Sequence, residues 1–256
     1  MKHLLCVPGG ENALGGSCLA ERFSHYVRLS PAEQAALDRL EDRARDFRRG
    51  AVVIRENERP REMYVVRSGW LHSSTMLGNG SRQIMRFLFH GDILGMSLIA
   101  FSDSPETVTA VTDVSLCPFP RERFAGLITD HPRLGALMLG LAVSERASLA
   151  DRLASIGRTP ARARVGSLIC ELFARMRRLK MIDGDAITLP LTQEDIGDAT
   201  GLTSVHVNRM LRGLVEDGII ERNGSRIRML DEPRLTEQAN FIDRSELETG
   251  WLPPPR

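Results

Sequence analysis

Between Thr203 and Arg212 this chain carries Ser204, His206, Asn208, Arg209 and Arg212 and no acidic residue. Val207, Met210, Leu211, Leu214 and Val215 recur at helical spacing, so an amphipathic helix would bury them and leave the polar side chains free. Those free groups suit duplex DNA: arginine forks onto guanine O6 and N7, asparagine pairs with adenine, and further cations neutralise phosphates. A second basic run, Arg222, Arg226 and Arg228, again has no acid within it. It lies in two β-prone stretches around Asn223-Gly224, the dipeptide of a tight hairpin. A solvated helix and an idle hairpin are the plainer alternative, but cap, turn, basic helix and basic wing in one order describe a winged helix-turn-helix.

The overall charge says that such contacts are local. The 256 residues hold 34 Lys+Arg and 33 Asp+Glu, a net charge of +1, so only a patch can meet nucleic acid. A hydrophobic content of 42% supports packed cores. Four cysteines, Cys6, Cys18, Cys117 and Cys170, are too few and scattered for a disulfide framework, which fits a reducing cytoplasm. The longest apolar run, Leu134 to Val143, is too short to cross a bilayer, and the N-terminal residues lack a signal peptide's apolar stretch, so no membrane partner is expected. With no phosphate-binding glycine loop, His/Glu metal spacing or nucleophile elbow, an enzyme is not expected either.

The elements that must position the basic helix follow from caps and breakers. Thr192 caps a brief helix containing Ile196, Gly201 makes the turn, Thr203 caps the basic helix and Gly218 stops it. Thr159 is expected to cap a helix starting at Pro160 that buries Val165, Leu168, Ile169, Leu172, Phe173 and Met176. Before it, Pro132 opens a long helix to Gly157, with Leu134, Leu137 and Leu141 on one stripe and Leu149, Leu153 and Ile156 on another. Its first half is apolar nearly all round, so it is either sandwiched within the chain or paired with a second copy; pairing across a twofold axis is the expectation. From Ala51 to Phe119 short β-prone runs alternate with Asn79-Gly80, Gly91 and Gly95, as in an all-β roll. Ser30-Pro31-Ala32-Glu33 forms a capping box for a short helix. The fold class is thus α+β: a flexible arm over 1–25, a β-roll over 26–131, a dimerisation helix over 132–157, a winged helix over 158–241 and a solvated tail over 242–256.

Three segments, Gly91-Asp92-Ile93-Leu94-Gly95, Pro190 to Ile196 and Gly201 to Leu211, resemble in order and spacing the Crp/Fnr transcription regulators, over roughly Val27 to Phe241. The resemblance implies a cyclic-nucleotide-binding-like jelly roll before the dimerisation helix, and a bacterial homodimer on a near-palindromic operator in double-stranded DNA, with RNA polymerase as a further partner. It also implies base reading by Ser204, Val205, Asn208 and Arg209. Gln193, Thr203, His206, Arg212, Arg226 and Arg228 are placed to meet the DNA backbone. Val205 stands where better-known members carry a glutamate; an apolar side chain accepts nothing from cytosine N4, so a thymine methyl is the expected contact.

The same resemblance leaves the signal unassigned. Met96 stands where cyclic-AMP-binding members have a glutamate, and Ser104-Pro105-Glu106 fills the place of their arginine-serine pair. Glu106 would repel a cyclic phosphate. Cys117 lies in register with the inner cluster cysteine of oxygen-sensing members, but Cys6 and Cys18 are one short of the usual trio and too far apart. Cys117 and Cys170 read as small buried hydrophobes, whereas Cys6 and Cys18 in an exposed arm could oxidise. His25, His72, His90 and His131 are isolated. No cofactor is therefore expected. The alternative function is a module that binds no DNA and uses a nucleotide-binding-like β-roll to control a partner protein, against which the basic wing argues.

Overall fold

The computed structural model describes residues 16–41 and 43–255. The N-terminal residues through 15, Cys6 among them, lie outside the described residues. Those that follow correct the expected arm: α1 (Cys18–Ser24) is a helix whose Cys18, Leu19, Ala20 and Phe23 are buried. Ser17 caps it, and Glu41 accepts hydrogen bonds from Ser17 Oγ (2.5 Å), Cys18 N (3.0 Å) and Leu19 N (2.9 Å). A two-turn helix has too short a period to be seen in the sequence, and a distant carboxylate supplies its anchor.

The expected capping box opens α2 (Pro31–Leu40), with Ser30 and Glu33 bonded reciprocally. Two four-stranded antiparallel sheets then make the β-roll. One orders β1 (Arg45–Phe47), β8 (Val114–Pro120), β3 (Glu62–Ser68) and β6 (Ile93–Leu94); the other orders β2 (Val52–Ile54), β7 (Thr107–Ala110), β4 (Leu71–Met76) and β5 (Arg82–Leu88). Ile54, Tyr64, Val66, Leu71, Leu88, Val108 and Leu116 fill the space between them. The β4–β5 hairpin turns at Asn79-Gly80, where Gly80 takes a φ of +82°.

After α3 (Arg121–Asp130), α4 runs from Pro132 to Arg158. Its first apolar stripe does not face a second copy. Leu134 and Leu137 are 0% and 1% exposed and pack, with Leu141, against Phe119, Phe124 and Leu127 of the same chain. Leu149 and Ile156 are half-buried, and of the six residues expected at a dimer seam only Leu153 stands open, at 73%. The residues left uncovered are Leu139, Ala142, Val143, Arg146, Ala150, Leu153, Ala154, Gly157 and Arg158, one continuous face at helical spacing. The nearly all-round apolar surface is thus two faces, one covered within the chain and one left open.

α5 (Ala161–Arg178) begins after Pro160, which stands at the cap; the expected cap residue Thr159 instead donates Oγ1 to Ser155 O at 2.8 Å. β9 (Ala186–Thr188), a strand the sequence did not announce, pairs with β11 (Arg226–Met229), which pairs with β10 (Ile220–Asn223). Between β9 and β10 lie α6 (Gln193–Thr200) and α7 (Ser204–Glu216), and α8 (Glu232–Ala239) closes the domain. The residues beyond it correct the expected solvated tail: Leu247 and Leu252 pack into the cluster of α1, α2 and α4, and Arg244 pairs with Asp151 at 2.8 Å.

The β-roll and the helix-turn-helix domain share one core. Trp70, Ile84, Phe87 and Phe89 pack with Ile169, Phe173 and Ile196. At its edge Asp92, with a side chain 2% exposed, pairs with Arg22 of α1, Arg86 of β5 (2.9 Å) and Arg175 of α5 (2.8 Å), and accepts from Phe89 N at 2.9 Å. Burial alone would raise its pKa, but Arg86, Arg22 and Arg175 outweigh that and hold the carboxyl well below the usual range. Asp92→Ala is expected to cost about 3–5 kcal/mol in denaturant unfolding, because three partly buried guanidiniums lose their common counter-charge.

Candidate nucleic-acid interface

Thr203 caps α7, accepting from His206 N at 3.3 Å. Val207, Leu211 and Leu214 are buried, which turns the opposite face outward. On that face Ser204, Val205, His206, Arg209 and Arg212 are exposed, Val205 at 76%, and Asn208 is half-buried. Arg209 and Arg212 have no ion pair among the described residues. The His206 ring lies 3.2 Å from Thr203 Oγ1, so both of these side chains are engaged at the helix start.

Two glycines hold α7 in this position. Gly201, the C-cap of α6, takes a φ of +68°. A Cβ at Gly197 would stand 2.4 Å from Leu202 O, so only glycine lets the turn cross α6 this closely. Gln193, half-buried, is the first residue of α6, behind the reciprocal capping of Thr192 and Asp195. The β-roll grips the same helix: Arg82 of β5 reaches Asp195 (3.2 Å) and Asp198 (2.7 Å), and Gln83 donates to Asp198 O at 2.7 Å.

The wing is less cationic than its sequence reads. Arg226 pairs with Asp183 at 2.7 Å, and Arg228 pairs with Asp185 (3.2 Å) and Glu221 (3.1 Å). Asp183 and Asp185 lie just before β9 and arrive only through this third strand of the wing sheet. These pairs are exposed, and such contacts contribute about 0–1 kcal/mol, so both arginines can be released to phosphate at little cost. Arg164 of α5, which the sequence reading passed over, sits beside the turn, its Nη1 3.8 Å from where a Gly201 Cβ would be. A cation one turn into the preceding helix is the only signal that could have marked it.

In the β-roll, Met96 begins a short 3-10 turn, and Ser104 Oγ is tied to the backbone of Glu106, donating to its carbonyl at 2.7 Å. Cys18, expected in an exposed arm, is buried, and burial together with Glu41 pushes its thiol up to about 12. Cys117 and Cys170 are also buried. No group of three or more His, Cys, Asp or Glu side chains suited to a metal ion occurs among the described residues. No described helix is long and apolar enough to cross a membrane.

His72 of β4 is 3% exposed beside the Arg82 contact, with its Nδ1 unpartnered. Burial first, and then the charge of Arg82, push its pKa down to about 4 despite Asp195 and Asp198.

Residues 44–131 match the family model of the cyclic nucleotide-binding domain, and residues 163–238 match that of the Crp-like helix-turn-helix domain. The nitrogen fixation regulation protein FixK of Bradyrhizobium diazoefficiens is 30% identical over 208 residues, covering 81% of this chain and 86% of that protein. The transcriptional activator protein FnrL of Cereibacter sphaeroides is 27% identical, over 88% and 91% respectively. The solved structure of FixK2 from Bradyrhizobium japonicum superposes with a TM-score of 0.70, at 24% identity, over 77% of this chain and 96% of that one.

Two measurements bear on this geometry. Gly197→Ala is expected to push α7 from its seat and lower stability by roughly 1–3 kcal/mol, read as a shifted denaturant midpoint. Because unfolded histidine takes up a proton near pH 6.5 and native His72 only near 4, stability should fall as pH drops through that window, by about 2–3 kcal/mol. His72→Gln should flatten that dependence.

Proposed function

Because the chain belongs to the Crp/Fnr family of transcription regulators, we propose that it binds a near-palindromic operator as a homodimer, with α7 of each copy in the major groove. The observation that carries this is the exposed face of α7, on which Arg209 and Arg212 have no ion pair among the described residues. Ser204, Val205, Asn208 and Arg209 read bases from it. Gln193, Thr203, His206, Arg212, Arg226 and Arg228, joined by Arg164, meet the phosphates. Val205, fully presented and apolar, favours a thymine methyl at its position.

The twofold seam is the open face of α4, from Leu139 through Val143, Arg146, Ala150 and Leu153 to Gly157. Paired there, two copies set their recognition helices about one DNA turn, or 34 Å, apart. RNA polymerase is the partner of a regulator bound at a promoter, and the cytoplasm is where a bacterial operator is found. The family consists of transcription regulators, and we assign this chain no reaction.

Binding-site selection and gel shifts on captured DNA test the reading. Arg209→Ala should cost about 1–3 kcal/mol and relax specificity at one base pair of each half-site, whereas Arg226→Ala should weaken all sequences alike and lower the salt slope by about 1. Val205→Glu should change the selected base; an unchanged preference would refute the contact. Leu153→Glu should yield monomers by light scattering with the fold intact, while Leu134→Ala should instead lower stability, by about 2–5 kcal/mol.

A further inference from the structure

The β-roll, α4, α5 and the chain from Phe241 to Ser245 enclose a cavity of about 310 Å³, near the lower end of volumes typical of small-molecule sites. The segment after α8 closes it as a strap. Ser144 Oγ donates to Arg244 O (2.6 Å), Arg244 pairs with Asp151, and Arg178 donates to Ser245 Oγ (2.9 Å). Tyr26, Met85, Leu141, Leu149, Leu179 and Phe241 give the cavity apolar walls.

Its charges do not balance. Seven guanidiniums and five carboxylates line it. Arg22, Arg86 and Arg175 share Asp92, Arg86 also meets Glu145, Arg152 meets Glu171 and Arg244 meets Asp151. Arg158 and Arg178 have no carboxylate partner among the described residues. Arg158 is exposed at the end of α4, but Arg178 lies over the Tyr26 ring at 5.2 Å with its Nε buried and unpartnered. Beside Tyr26, His25 also buries an unpartnered Nε2. Burial, and then the charges of Lys180 and Arg178, push its pKa down against the pull of Glu21. A half-buried guanidinium without a counter-charge is costly unless an anion completes it.

We infer that this cleft binds a small organic anion, a carboxylate or phosphate head on an apolar body, with Arg178 as its counter-ion. A ligand there touches the β-roll, the α4 seam helix and the first helix of the reading domain at once. It therefore fixes how α7 is carried relative to α4, a consequence that rests on the DNA-binding reading.

The full chain titrated with anilinonaphthalenesulfonate should show saturable one-to-one fluorescence. Phenyl phosphate or phenylacetate should compete and neutral benzyl alcohol should not, the better competitor identifying the head group. Arg178→Gln should weaken binding at least about tenfold while Arg178→Lys stays within about threefold. Ser148→Phe, which fills the cavity from α4, should abolish binding with the thermal midpoint preserved. No saturable site, equal affinity in Arg178→Gln, or equal competition by benzyl alcohol would overturn the inference. Gel shifts with genomic fragments, with and without the competing anion, separate the two readings. DNA affinity indifferent to the anion removes the coupling, and no DNA binding in either condition removes the DNA-binding reading, while the titration without DNA is decided on its own.

Discussion

The carboxylate of Asp92 is the interaction on which the arrangement of this molecule depends. It is almost wholly withdrawn from water and receives guanidiniums from α1, β5 and α5, which reach it across up to 83 residues of chain. Its own loop is fixed by the hydrogen bond from Phe89 N. A buried charge of this kind is not a strong source of net stability, since desolvation consumes most of the attraction. What it supplies is a geometric constraint: moving α5 away from the roll would take Arg175 from Asp92.

Around that point the β-roll and the reading domain behave as one packed body. The shared core through Phe87, Phe89 and Phe173 removes the loose hinge that a boundary at Gly157 to Pro160 would suggest, and Arg82 extends the grip to α6. The recognition helix is therefore aimed by the sensor domain directly, through side chains, as well as through α4. The strap after α8 adds a third connection, running back along α4 to the β-roll side. The roll and the cleft are thus joined to α7 by short, packed side-chain connections.

The electrostatics of the interface have the same non-local character. Arg209 and Arg212 have no ion pair among the described residues, α7 carrying no acid before Glu216, while the wing arginines Arg226 and Arg228 are partly neutralised by Asp183 and Asp185 just before β9. The cationic face is thus concentrated on the helix and held in reserve on the wing.

Much of this was legible in the residues. The capping box at Ser30, the caps at Thr192 and Thr203, the turn at Gly201 and the hairpin at Asn223-Gly224 are short-range chemistry, completed within a few residues, and the sequence determines them by itself. So does the amphipathic stripe of α7, hence which side chains can reach a groove. Tertiary structure alone decided which face of α4 is covered, because an apolar helix surface names no partner until the roll claims Leu134 and Leu137. It alone decided that Cys18 is buried, that the tail is a strap and that Asp92 joins three elements, because ion pairs and packing across 20 to 100 residues leave no period or spacing in the chain.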